Sequence, residues 1–248
     1  MRNSKLTPVI LLLPLMAVTL TVIIACVNVL LQSIGYVPAF GLTKITLGYY
    51  REVFKRPEFL SALWVSLRIA FVSTLLAAAL GTLLCTALVK RRAGGGMLYT
   101  VRFPILVPHT VVALFIMTLL GQTGIVARAA YGLGLISDYT KFPQILFTPG
   151  YGGAIAGYLW KEIPFVAYYT LALMASVSNT LGEAAENLGA SPLRSFFSVT
   201  LPMSLPAVSK AALIIFIYAF GGYELPALLG STLPKALPVQ AVSYTHLR

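Results

Sequence analysis

Two apolar runs decide what this chain can become. Thr7 to Leu31 and Leu60 to Val89 carry almost no charge, Arg68 being the exception. Each exceeds the roughly 20 residues that a helix needs to cross a bilayer. In hydrocarbon, backbone amides must be paired inside the structure, which leaves helices or closed barrels as the ways across, and runs this long are helices. Composition agrees: 58% of the 248 residues are hydrophobic and 10% are charged, against about 25% charged in an ordinary soluble domain. A cleaved leader would have a shorter apolar core and a small-residue exit. Thr7 to Leu31 therefore reads as a first span and Leu60 to Val89 as a second, separated by a polar connector holding Gly35, Pro38, Gly41 and Pro57. Within that connector, Leu47 to Phe54 is patterned as a short amphipathic helix.

The same reading continues along the chain. Lys90-Arg91-Arg92 followed by Gly94-Gly95-Gly96 is a tight basic turn. Phe103 to Leu120 is the expected third span, with Pro104 and Pro108 near its start, and Gly121 to Gly150 is a glycine-spaced connector. Gly152 to Val177 is the expected fourth span, kinked near Pro164, where a helical hydrogen bond is lost. A fifth apolar run from Ala207 to Phe220 is too short to cross alone. It must either continue through Gly221, Gly222 and Pro226 or break there, and broken membrane helices line protein-walled or watery cavities. The expected class is all-α: a polytopic membrane helix bundle. Lys90, Arg91, Arg92 and Arg102 place their short turn on the cytoplasmic side. With Arg2 and Lys5 also inside, four crossings return residues 179–206 to the cytoplasm.

That returning stretch, Glu183 to Pro206, is the most sharply patterned. Leu181, Ala184, Ala185 and Leu188 fall at i, i+3, i+4 and i+7, one face of a helix, with Glu183, Glu186 and Asn187 opposite. Gly189 suits the left-handed backbone that ends a helix. Ser191 can cap the next helix, with Pro192 in its first position. Leu193, Phe196, Phe197 and Leu201 renew the apolar stripe, and Leu201-Pro202 and Leu205-Pro206 are expected to stop that second helix. Two short amphipathic helices joined at a glycine are expected at the membrane surface.

On these residues the chain resembles the permease subunits of ABC importers. Glu183-Ala184-Ala185, then Gly189-Ala190-Ser191, then Leu201-Pro202 with Pro206 match the signature loop of that family. The likeness extends to Trp160-Lys161-Glu162-Ile163-Pro164-Phe165 and to Tyr223-Glu224-Leu225-Pro226, covers residues 60 to 242, and is strongest toward the branch serving polyamines, ferric iron and thiamine. The resemblance implies a six-span fold, of which about five spans are present, with residues 1–59 as a first span and outer connector. It implies a cytoplasmic ABC ATPase dimer docked on Leu181, Glu183, Ala184, Ala185, Leu188, Gly189, Ala190, Ser191, Leu201 and Pro202. It further implies a second permease subunit, the same or related, an extracytoplasmic solute-binding protein, and the plasma membrane as the site of action. A sixth span would follow Leu237-Pro238-Val239. Residues 243–248, Ser-Tyr-Thr-His-Leu-Arg, are expected to be a non-native tail.

Other chemistry is not signalled. The net charge of +11 invites a nucleic-acid reading, but the basic residues are scattered or sit beside apolar runs, where anionic lipid accounts for them. Residues 181–201 mimic a helix-turn-helix yet hold one Arg and two Glu. Cys26 and Cys85 have neither zinc nor redox spacing. No phosphate-binding glycine loop is present, so no cofactor is expected and ATP hydrolysis falls to another subunit. His109, beside Pro108, reads as a packed or interfacial histidine. Among charged residues inside the expected spans, Arg68 and Lys161 read as structural. Glu224, with Tyr223 and Glu162, reads as a candidate translocation path, since intramembrane acids mark such paths. Gly81, with Ala77, Ala78 and Ala79, suits close helix packing. A secondary transporter or channel without an ATPase is the alternative, and it would call for internal repeats or several intramembrane acids.

Overall fold

The computed structural model describes residues 7–91 and 93–246, and the basic residues Arg2, Lys5 and Arg92 and the tail residues Leu247 and Arg248 lie outside them. Helices are the regular structure among the described residues, with one isolated bridge between Val37 and Leu42 in place of any sheet. Two units are distinct, Met1–Leu60 and Ser61–Arg248. The first holds α1 (Thr7–Ser33) and α2 (Gly48–Lys55). α3 (Pro57–Lys90) opens at the end of that unit and supplies the first long helix of the second.

The second unit is built around α7 (Gly152–Val177). Against it pack α4 (Gly95–Leu106), α5 (His109–Leu120), α10 (Leu201–Gly221) and α11 (Glu224–Leu229). Three apolar clusters succeed one another along α7. Tyr151, Ala154 and Tyr158 meet Val65, Ile69, Val112, Ile116, Leu225 and Leu229. Val166 then meets Ala77, Ala211 and Ile215. Ala167 and Met174 finally meet Cys85 and Leu88. Gly81 sits where α3 crosses α7: a Cβ added there would lie 2.6 Å from the Val166 Cβ and 2.8 Å from the Ile163 carbonyl oxygen. The small-residue stretch expected to allow close packing does so at Ala77 and Gly81, while Ala79 faces outward.

By length and composition, Ile10–Ser33, Pro57–Lys90, His109–Gly132 and Pro192–Gly221 are apolar enough to cross a membrane. α7 has the expected bounds but is not among them. Lys161, Glu162 and its tyrosines dilute its apolar character, and those two charged side chains are enclosed by protein.

Three expectations need correction. The third span does not run from Phe103 to Leu120. α4 ends at Leu106, Val107 and Pro108 are extended, and α5 starts at His109. Pro108 cannot donate an amide and biases Val107 away from helix. Lys161 Nζ makes the break tenable by donating to the carbonyls of Ile105 and Val107. The candidate crossing continues past Gly121 into α6 (Ile125–Gly132), in part of the sequence expected to be connector.

Second, Pro202 and Pro206 stop nothing. α9 (Pro192–Ser195), a wide π turn (Phe196–Thr200) and α10 follow one another without a gap. Pro202 falls in the first turn after the wide turn, where its missing amide and its ring are tolerated. Third, the first helix of the signature stretch is no separate surface helix. It continues α7 through a second π turn, Ser178–Gly182, into α8 (Glu183–Asn187). The last apolar run does break: α10 ends at Gly221, Gly222 is extended, and α11 begins at Glu224. α12 (Leu237–His246) closes the described chain and takes in the start of the expected tail.

Candidate functional site

Between α8 and α9 the backbone reverses at Gly189, whose φ is +92°. The Gly189 amide donates to the Glu186 carbonyl at 2.9 Å and the Ala190 amide to the Ala185 carbonyl at 3.0 Å. These are the paired bonds of a helix terminus closed by a left-handed glycine. Ser191 Oγ then accepts from the Arg194 amide at 3.3 Å, with Pro192 in the first turn. Each local signal in the sequence is therefore used.

The base of this hairpin is tight. Its two π turns face each other, and Ser195 Oγ, buried, donates to the Gly182 carbonyl at 3.0 Å. A Cβ on Gly182 would lie 3.3 Å from Thr200 Oγ1 and 3.5 Å from Ser195 Oγ. The tip is open. Leu188 is 90% exposed and Leu193 68%, while Leu181, on the π turn at the base, is 46% exposed. Glu183, Ala184, Gly189 and Ser191 are also exposed, and Ala185 and Ala190 are half-buried. The second apolar stripe is divided: Phe196 is buried while Leu193 and Phe197 are not. Leu201, half-buried, and Pro202, exposed, lie beyond the wide turn in α10, apart from the tip. The segment thus presents apolar side chains and two carboxylates on a hairpin closed at its base.

A second feature lies where two helix breaks meet. Glu162 on α7 is 9% exposed, and no ion pair or hydrogen bond joins it to Lys161 or to any other described side chain. Glu224 is the first residue of α11, just past the break at Gly222. Tyr158 stands one turn before Glu162 on α7, and its hydroxyl packs against Gly222, two residues before Glu224. His109, the first residue of α5, has its Nδ1 3.3 Å from Tyr218 Oη and its ring 5.0 Å from the Tyr218 ring and 6.1 Å from the Tyr158 ring. Its Nε2 is buried without a hydrogen-bond partner among the described residues. The Tyr158 hydroxyl occupies the space in which a side chain at residue 222 would stand.

Tyr158 thus links Glu162, on its own helix, to the break before Glu224 in one polar cluster, whereas Tyr223 is exposed. His109, Tyr158 and Tyr218 join the cluster, and sequence reasoning did not place them there. The signal that could have found them is Pro108: a break at that point turns His109 into the start of a helix facing α7. Lys161 and Arg68 take structural roles, since Lys161 holds the carbonyls of the α4–α5 break and Arg68 donates to the Pro149 carbonyl.

The sequence profile described as "Binding-protein-dependent transport system inner membrane component" matches residues 73–245. The chain is 24% identical over 185 residues to the molybdenum transport system permease protein ModB of Azotobacter vinelandii, covering 74% of this chain and 78% of that one. It is 25% identical over 206 residues to the putrescine transport system permease protein PotI of Escherichia coli K12, covering 80% of this chain and 66% of PotI. Among solved structures, a chain of a bacterial alginate ABC transporter in complex with an alginate pentasaccharide-bound periplasmic protein superposes with a TM-score of 0.70. That match has 20% identity and covers 97% of this chain and 88% of the other. At that identity the likeness speaks for the fold.

Proposed function

The chain belongs to the family of binding-protein-dependent transport system inner membrane components, multi-pass permeases of ABC importers, and from that premise we propose how it is energised and what it carries. Residues 60–242 form the transport domain, and residues 179–206 are its coupling segment. The open tip of the hairpin docks in a groove on a separate cytoplasmic ATPase dimer. Leu181, Ala184 and Leu188 fill the groove, the mode in which an amphipathic helix anchors through residues three and four apart. Glu183 makes a polar contact at its rim. Closure of the ATPase dimer moves the hairpin, and the move passes into α7 and α10 because both continue from it without a loop. A second permease subunit completes the path, and an extracytoplasmic binding protein delivers solute.

The observation that carries this reading is Leu188, an apolar side chain left 90% exposed at the tip of a segment whose base is firmly bonded. Co-purification tests it. The permease expressed with the ATPase subunit of its own transport system is expected to retain it through size exclusion. Glu183→Arg is expected to weaken that association at least tenfold with the permease still folded. Equal retention by both would remove the docking claim.

For the solute, the named relatives serve chemically different cargoes, so the cluster is the better guide. Glu162 and Glu224 offer carboxylates, which suit a cation, a polyamine among them, better than an oxyanion. Glu224→Gln keeps the shape and removes one charge. Uptake of a cationic solute is expected to lose severalfold in apparent affinity while ATPase association is unchanged. Wild-type kinetics would take Glu224 off the path.

A further inference from the structure

The excursion between α1 and α3 belongs to the first unit, and the transport reading leaves it unused. α1, Thr7–Ser33, has 27 residues, about 40 Å at about 1.5 Å per residue, longer than a hydrocarbon core of about 30 Å, so that its last turn can reach the headgroup layer. There the chain folds back at Gly35, with φ +87°. The Tyr36 amide donates to the Leu31 carbonyl at 2.9 Å and the Thr46 amide to the Ile34 carbonyl at 2.8 Å. A Cβ on Gly35 would stand 2.9 Å from the Tyr49 ring. Tyr50 then donates its hydroxyl to Ser33 Oγ at 2.8 Å. α2 is therefore fastened to the last turn of α1 and held at the level where that span ends.

The faces of α2 are cleanly divided. Tyr49, Tyr50, Val53 and Phe54 fall within an arc of about 140° at about 100° per residue. Arg51, Glu52 and Lys55 lie opposite. All four apolar side chains are exposed, and no residue of α2 is buried. Lys44 and Arg56 flank the helix, so four basic residues stand against Glu52 and Glu58 over residues 44–58.

We propose that α2 is an interfacial anchor seated on the leaflet in which α1 ends. Tyr49, Tyr50, Val53 and Phe54 meet the acyl-chain boundary, and Lys44, Arg51, Lys55 and Arg56 lie among anionic phospholipid headgroups. A short helix with basic residues on one side and aromatic or aliphatic residues on the other lies in the plane of the interface, and tyrosines gather at that depth. The tether to Ser33 places the apolar face where lipid begins, and the net positive charge is complementary to phosphate. Such an anchor fixes the depth of α1 and of the start of α3.

The test is spin labelling of the full chain with Cys26 and Cys85 replaced by serine and alanine, reconstituted in phosphatidylethanolamine–phosphatidylglycerol vesicles. Labels at Phe54→Cys and Val53→Cys are expected to favour oxygen over a water-soluble nickel chelate severalfold more than a label at Arg51→Cys does. The use of two apolar-face positions guards against one variant disturbing the turn. Equal access of the chelate to all three would mean a helix in water. Shielding of residues 53 and 54 from both reagents in the presence of the solute-binding protein would mean a protein partner. Either result overturns the proposal.

Discussion

Gly189→Pro is expected to abolish ATP-driven uptake while leaving the membrane-embedded bundle folded. Proline holds φ near −65° and has no amide hydrogen, whereas Gly189 adopts +92° and donates to Glu186. The conflict costs about 3 kcal/mol or more, and it falls on a hairpin whose tip is open. Nothing lies within 4 Å of where a Gly189 Cβ would be, so the loss comes from backbone geometry and not from packing. The base, bonded from Ser195 to Gly182, is separate from it, so damage stays between α8 and α9. Gly189→Ala, which meets only the left-handed penalty of about 1–2 kcal/mol, is expected to lose part of the uptake. Uptake in proteoliposomes with the ATPase subunit, beside thermal melting of the permease alone, separates coupling from folding. Unimpaired uptake by the proline variant would mean that the reversal is not needed.

Gly81→Leu should have the opposite signature, a permease that fails to fold stably. The added Cβ alone would come within 2.6 Å of the Val166 Cβ and 2.8 Å of the Ile163 carbonyl oxygen. Neither atom can rotate away, because one is a Cβ and the other is backbone of α7. Overpacking of this kind costs about 1–3 kcal/mol and more where nothing yields. The displaced helix would also part Ala77 from Val166, Ala211 and Ile215. Melting in detergent is expected to fall by several degrees, with most of the protein lost to aggregation. Gly81→Ala is expected to lie between. A variant as stable as the parent would show that α3 and α7 do not approach this closely.

The readable parts of this fold were those whose cause is local. α2 is set by its own periodicity, the hairpin by Gly189, Ser191 and Pro192, and the bounds of α7 by the glycines before it and the polar residues after it. What escaped was decided from far along the chain. Pro104 sits inside α4 while Pro108 breaks the chain, and nothing near either proline tells them apart. The difference is Lys161, which supplies donors to carbonyls more than fifty residues earlier. Pro202 and Pro206 read as stops, yet Pro202 stands in the first turn of α10 after the wide turn and Pro206 is carried inside the helix. The His109–Tyr218 contact joins residues 109 positions apart, beyond the reach of any local pattern. Glu162 and Glu224 were legible as charges in apolar surroundings, but their common neighbours were not.

Coupling through the hairpin requires its tip to face the cytoplasm and to be covered there by another subunit. The direct measurement is labelling of Leu188→Cys, with Cys26 and Cys85 replaced, by a membrane-impermeant maleimide in sealed vesicles of either orientation. Reaction is expected in inside-out vesicles alone, and it is expected to be suppressed severalfold when the ATPase subunit is bound. Reaction in right-side-out vesicles would place the hairpin on the wrong side of the membrane and contradict the account.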